Sequence, residues 1–274
     1  LSALPYAFGG IGGATTIDTR ALSQRAQTSL SYALSNRTYS HRLMATHSSG
    51  PLKNGWAFSV SGSRRWANEA YLPGTYYDAW AYFLSVDKKF SDKHTLNFTA
   101  FDAPIRRGGS TASTQEMYDI AGTNYYNPLW GYQEGEKRNS RTIYSDQPMF
   151  ILRHDWNFKQ GGSLTTAISY QYGENGRTRM DWFDAPDPRP DYYRNLPSFL
   201  RQDSDEAADF RLDELTLDED MRQLDWASFY NVNRNSELNS IFGPQLGLED
   251  VEGRWSQYIV DDQRSDSRDA NFYT

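Results

Sequence analysis

The stretch "GWAFSVSGSRRW", residues 55–66, sets two kinds of side chain against each other with period two. Trp56, Phe58 and Val60 fall on one face, and Ala57, Ser59, Ser61 and Ser63 on the other. A period of two is the signature of a β-strand. The pattern recurs on both sides of this stretch. "TSLSYALS" (28–35) sets Leu30, Tyr32 and Leu34 against Ser29, Ser31, Ala33 and Ser35, and "YSHRLMATHS" (39–48) is a looser version. "YDAWAYFLSVDKKF" (77–90) sets Trp80, Tyr82, Leu84 and Val86 against Ala79, Ala81, Phe83, Ser85 and Asp87. "HTLNFTAF" (94–101), "PMFILRHDWNF" (148–158) and "SLTTAISYQY" (163–172) continue the series, and 253–274 reads as an eighth strand.

The connections alternate in length. "SGPLKNG" (49–55), "SDK" (91–93) and "KQGG" (159–162) are short turns rich in residues that tolerate turn dihedrals. The opposite connections mostly grow along the chain, from "SNRTY" and "ANEAYLPGT" to two very long loops at about 102–147 and 174–254. Short turns at one end and long loops at the other are the pattern of an up-and-down outer-membrane barrel. Within the loops, "STQEMYDIA" (113–121) predicts a helix capped by Ser113 with Glu116 at the third position. Residues 216–233 carry helical spacing at Leu217, Met221, Leu224 and Phe229, and the four prolines of 184–199 predict extended chain with turns.

Composition narrows the reading. Aromatic residues are 15% of the 274 residues, yet mean hydropathy is −0.77, a mixture suited to surfaces apolar on one side and wet on the other. The net charge of −7 argues against nucleic acid as the partner. The absence of cysteine removes disulfide and zinc-thiolate chemistry. No stretch of about 18 apolar residues exists to form a spanning helix, and the chain starts at Leu1 with no secretory leader in view. The small polar face, Ser, Thr, Ala, Asn, Gln and Asp, cannot fill a dry barrel core. Either the aromatic–aliphatic face packs on a second sheet, as in a soluble β-sandwich, or it faces lipid while the polar face lines a lumen. Rings near strand ends, among them Trp56, Trp66, Tyr76, Tyr77, Trp80, Trp156 and Tyr172, fit interfacial girdles.

"YAFGGIGGATTIDTRA" (6–21) resembles the last plug strand of TonB-dependent outer-membrane transporters. "TNYYNPLWGYQEGEKRNSR" (123–141), "APDPRPDYYRNLPSF" (185–199) and "LDWASFYNVNR" (224–234) resemble loop sequences of Bacteroidetes-type members. The resemblance spans essentially the whole chain. It implies an excerpt: residues 1–22 are the end of the plug and its linker, and 23–274 are about eight strands of a 22-stranded transmembrane barrel. It implies a non-enzymatic transporter in the Gram-negative outer membrane. Such a protein takes up a scarce ligand, a siderophore, cobalamin, oligosaccharide or peptide. The TonB–ExbB–ExbD complex powers it through an amino-terminal region absent from this sequence. The glycine segment lacks the ending typical of starch-utilisation transporters, which speaks against a lid lipoprotein partner. Gly9, Gly10, Gly12 and Gly13 are expected to let the chain turn closely from plug to wall. A phosphate loop is disfavoured because no Lys-Ser/Thr pair follows them.

The candidate ligand contacts are loop aromatics and one cation: Tyr125, Tyr126, Trp130 and Tyr132 in the first long loop, and Trp182, Arg189, Tyr192 and Tyr193 in the second. Stacking on a ligand and packing within the loop are both open to the aromatics, self-packing being the more ordinary fate in loops of this length. Arg189 and Arg194 are expected to pair with Asp187 and Asp191. The acidic run from Asp203 to Asp220 is read as a solvated face rather than a calcium site. His41, His47, His94 and His154 show no metal-ligand spacing, no nucleophile motif appears, and neither metal nor cofactor is expected. The rival readings are a soluble carbohydrate-binding or adhesin β-sandwich, and a β-sandwich glycan hydrolase with two loop carboxylates across a groove.

Overall fold

In the computed structural model, the described residues are 17–158, 161–183, 185–235 and 257–273. Strands make up 49% of the described residues and helices 18%, so the architecture is all-β with helices confined to connections. The alternating segments become β1 (Gln27–Leu34), β2 (His41–Ser48), β3 (Trp56–Ala67), β4 (Tyr77–Lys89) and β5 (His94–Asp102), each antiparallel to the next. The first long loop contributes β6 (Ile105–Gly108), α1 (Gln115–Ala121), the hairpin β7 (Trp130–Gln133) and β8 (Glu136–Asn139), and β9 (Thr142–Asp146). The sheet resumes with β10 (Met149–Asn157) and β11 (Ser163–Phe183), and closes its sequence with β12 (Gln257–Tyr273). All except the hairpin belong to one antiparallel sheet of ten strands.

β6 and β9 prolong β5 and β10. β6 continues the pairing with β4, and β9 pairs both β6 and β11. The breaks fall at Pro104 and Pro148, which have no N–H to give to the ladder. Asp102 repairs the damage. Its Oδ1 accepts from the N–H of Ala103 at 2.7 Å and of Gln147 at 3.2 Å, and its Oδ2 accepts the Tyr82 hydroxyl at 3.0 Å. On the neighbouring strand Gly173 sits at φ +137° with the Asp146 carbonyl where a Cβ would stand, so only glycine fits the kink.

β11 runs ten residues past Gly173, through the first part of the stretch expected to be loop, paired with β12 from Ala167–Tyr273 to Phe183–Gln257. From Glu174 to Arg179 its outer half is polar on both faces, so the alternation that marks the inner half fades there. The second long loop holds α2 (Pro197–Leu200), α3 (Asp205–Leu217) and α4 (Trp226–Asn235). The single helix expected at 216–233 is instead two, parted after Leu217 by extended backbone at Asp218 and a 3-10 turn at Asp220–Arg222. The acidic run belongs largely to α3, with Ser204 as its cap and Asp205 and Glu206 in its first turn. In α1 the cap is Thr114, whose hydroxyl accepts from the Met117 N–H at 3.2 Å. Ser113 is freed to donate to Asp191 at 2.9 Å, and Glu116 receives Ser198.

The two faces of the sheet differ as the alternation requires. Leu30, Tyr32, Leu34, Trp56, Phe58, Val60, Trp80, Tyr82, Leu84, Leu152, Ile168 and Phe272 are exposed, Leu30 by 75% and Trp80 by 52%. Among the described residues no second layer covers this face. The polar face is the covered one: Ser48, Ser59, Ser85, Asp87, Asn97 and Thr99 are buried. Part of the cover is the segment entering β1. Ala21 is fully buried, the Leu22 N–H donates to Asp87 Oδ2 at 2.7 Å, and Arg20 reaches Asp155 at 3.8 Å.

The apolar band has cationic edges. Lys88 Nζ lies 4.8 Å from the Trp56 ring at the short-turn end. At the loop end the Arg64 guanidinium lies 5.0 Å from Trp80 and 5.5 Å from Trp66. From Trp80 to Lys88 the strand advances about 27 Å.

Candidate functional site

The long loops form a cap over the outer end of the sheet, and the sequence-selected aromatics fall into separate groups within it. Tyr126 joins Met117, Leu196 and Leu215 in one buried cluster and donates its hydroxyl to the Arg222 carbonyl at 2.9 Å. Burial, with the Asp191 carboxylate nearby, pushes its phenol well above the usual range. Trp130 is buried as well. It lies against Gly74, whose φ of +70° places bare backbone under the indole where no side chain fits. The Trp130 carbonyl accepts the Leu224 N–H at 2.8 Å, and Lys137 caps the ring at 4.8 Å while pairing Glu69 at 2.7 Å. Trp130 thus pins three connections together. Buried Asn127 and Asn139 tie two of these together, donating to the carbonyls of Pro73, Gly74 and Gly109.

Tyr125 and Tyr132 are exposed. Tyr125 stands edge-on to Tyr71 at 6.0 Å, and Tyr132 edge-on to Trp130 at 5.6 Å. Trp182 is half-buried beside a cluster of Leu224, Trp226, Phe229 and Tyr258 that docks α4 on β12. Tyr192 and Tyr193 meet edge to face at 4.9 Å, and Tyr193 continues to Phe199 at 5.4 Å. The eight candidates therefore do not line one pocket. Tyr126, Trp130 and Trp182 pack within the cap, whereas Tyr125, Tyr132 and Tyr193 offer open ring surface. Gly9, Gly10, Gly12 and Gly13 lie outside the described residues.

Arg189 grips Asp187 through two nitrogens at 2.6 and 3.0 Å, as its spacing suggested. Arg194 does not pair with Asp191. Its guanidinium lies 5.7 Å from the Tyr193 ring and donates to the Tyr193 hydroxyl at 3.0 Å. Asp191 is buried, and one of its oxygens has no partner among the described residues. Burial raises its pKa, the Ser113 hydrogen bond and the Arg189 charge opposing. Among the described residues no group of three or more histidines and carboxylates is placed to hold a metal.

A recess in the cap lies where the polar face of β4 and β6 meets the 68–76 connection. It is a cavity of about 240 Å³ lined by Thr38, Tyr71, Tyr76, Tyr77, Arg107 and Ser110 among others. Tyr71 links it to exposed Tyr125. Sequence reading missed this recess because its walls come from three separated stretches, around 38, 70–77 and 107–110, and only strand pairing brings Tyr77 beside Arg107. Compared with known proteins, the chain matches no family model, no curated protein and no solved structure.

Proposed function

We propose that this chain is part of a TonB-dependent transporter of the Gram-negative outer membrane. It forms the end of a plug followed by the first strands of a plugged β-barrel that takes up a scarce ligand from outside the cell. The protein is non-enzymatic. In this reading the aromatic face touches lipid, the polar face looks onto the plug, and the looped cap meets the ligand. The carrying observation is the uncovered apolar band, edged by tryptophan–cation contacts at both ends, on a sheet whose polar face is covered instead. A soluble protein gains ~25 cal/mol for each Å² of apolar surface it buries, so a sheet that exposes its rings and covers its serines is built for a solvent other than water.

Two further features agree with the reading. The segment before β1 lies along the polar face and is held by Asp87, as a linker passing from plug to wall would be. The short turns gather at one end and the structured connections at the other. The soluble β-sandwich rival requires a second sheet over the rings, which the described residues do not supply. The test is to express the full-length protein in a Gram-negative host and follow it by membrane fractionation and by gel migration with and without heating. The reading predicts outer-membrane residence, detergent dependence, heat-modifiable migration, and loss of nutrient uptake when TonB is deleted. Recovery as a detergent-free soluble protein would contradict it.

A further inference from the structure

Five arginines gather on the polar side of the sheet at the level of the cap, and no described carboxylate lies within ion-pair distance of them. Arg42 and Arg65 are direct cross-strand partners on β2 and β3. Like charges set opposite each other destabilise a sheet, so the pair calls for an explanation. The Arg65 guanidinium lies 5.9 Å from the Tyr77 ring, and Tyr77 is the cross-strand partner of Arg107. Both of these line the recess. Ile143 links Arg107 to Arg177 in the register across β9. Arg141 lies in the same neighbourhood, its pKa lowered by burial and by the charges of Arg177 and Arg189.

The contacts these side chains do make are neutral. Arg42 donates from Nη2 to the Met44 sulfur at 3.2 Å, and its buried Nε has no acceptor. Arg177 donates to Gln263 at 3.4 Å. Several arginines elsewhere are ion-paired, among them Arg64, Arg153, Arg189, Arg201 and Arg264. What distinguishes these five is that they stand together without a described carboxylate, on a chain whose net charge is −7.

We propose that this surface, centred on Arg42, Arg65 and Arg107 with Tyr77 at the recess, binds a small ligand bearing carboxylate or phosphate oxyanions. Guanidinium groups present paired donors that match such oxyanions in geometry as well as charge. The aromatic walls, Tyr71, Tyr76 and Tyr77, would hold the less polar body of the same ligand. The inference rests on the transporter reading only in taking the looped end as the outward one. It narrows the cargo to anions and disfavours neutral oligosaccharides.

The test uses the full-length protein in detergent, with citrate and inorganic phosphate as oxyanion probes and maltotriose as the neutral one, titrated calorimetrically at low and high salt. We expect saturable binding of at least one anion, weakened by salt and reduced at least about tenfold in R65Q/R107Q. R106Q, on the opposite face of β6, should bind as the parent does. R42Q gives an independent readout that survives poor folding of the double variant. Without anion it should raise the melting temperature by relieving the Arg42–Arg65 repulsion, and it should weaken anion binding. No saturable binding of either anion, equal binding by R65Q/R107Q, or a lower melting temperature for R42Q would overturn the proposal. Any of these results would leave outer-membrane residence unaffected, so the two readings fail separately.

Discussion

At the scale of single residues, the cap is held by a few side chains whose roles are structural. Trp130 is the clearest, because it rests on a glycine that cannot be replaced and ties the 68–76 connection to the backbone at Leu224. Trp130→Ala should destabilise the cap by about 3 kcal/mol, as large buried aromatics do, and should open the loops to limited proteolysis while the strands stay protected. Tyr125→Ala, at an exposed ring, should leave the proteolytic pattern unchanged. Asp191 gives a prediction in pH. Its folded pKa is raised by burial, so the folded state favours the protonated acid. Stability then grows as pH falls through the folded pKa toward the ordinary value near 4, and is lost as pH rises. Asp191→Asn, which keeps the acceptor for Ser113, should stabilise the cap by up to about 1–2 kcal/mol at pH 7. The gain should disappear below about pH 4. Proteolytic half-lives of parent and variant at both pH values check this.

At the scale of elements, legibility followed solvent. β1 to β5 and β10 were readable because one face of each is apolar and the other polar, which makes period two visible in "GWAFSVSGSRRW" and its counterparts. The outer half of β11 lost that contrast, with Glu174 and Thr178 on one face and Asn175, Arg177, Arg179 and Asp181 on the other. α3 was hidden for the same reason, since it buries only Ala208 and Leu215 and leaves Leu217 and Phe210 exposed. Of the candidate site, the aromatic stretches were found, but which rings are open and which are packed was not legible. Trp130 and Tyr132 are two residues apart and differ through contacts with distant connections. The arginine surface was invisible because Arg42 and Arg65 meet only by cross-strand pairing. Leu84→Arg, at the middle of the apolar band, should cost about 2–4 kcal/mol of membrane stability, the known price of a cation on a lipid-facing strand. Ser63→Arg, on the polar face, should cost far less. Urea midpoints of the full-length protein in vesicles give the comparison.

At the scale of the whole molecule, one antiparallel sheet carries two unlike surfaces and a structured cap at one end. Charge is sorted as well: the apolar band is edged by cations that lie on rings, and the polar face carries a group of five arginines out of ion-pair range at the cap end and a buried carboxylate, Asp87, at the other. All of this becomes coherent if the solvent on the aromatic side is hydrocarbon. The most direct measurement places single spin labels at Leu84, Leu152 and Ser63 of the full-length protein, with any cysteine outside these 274 residues replaced by serine, in lipid vesicles. It then compares their accessibility to oxygen and to a water-soluble nickel chelate. The account predicts that labels at Leu84 and Leu152 meet oxygen and are shielded from nickel, while the label at Ser63 shows neither lipid signature. Nickel access at Leu84 and Leu152, or shielding of both from both reagents by a covering protein layer, would contradict it.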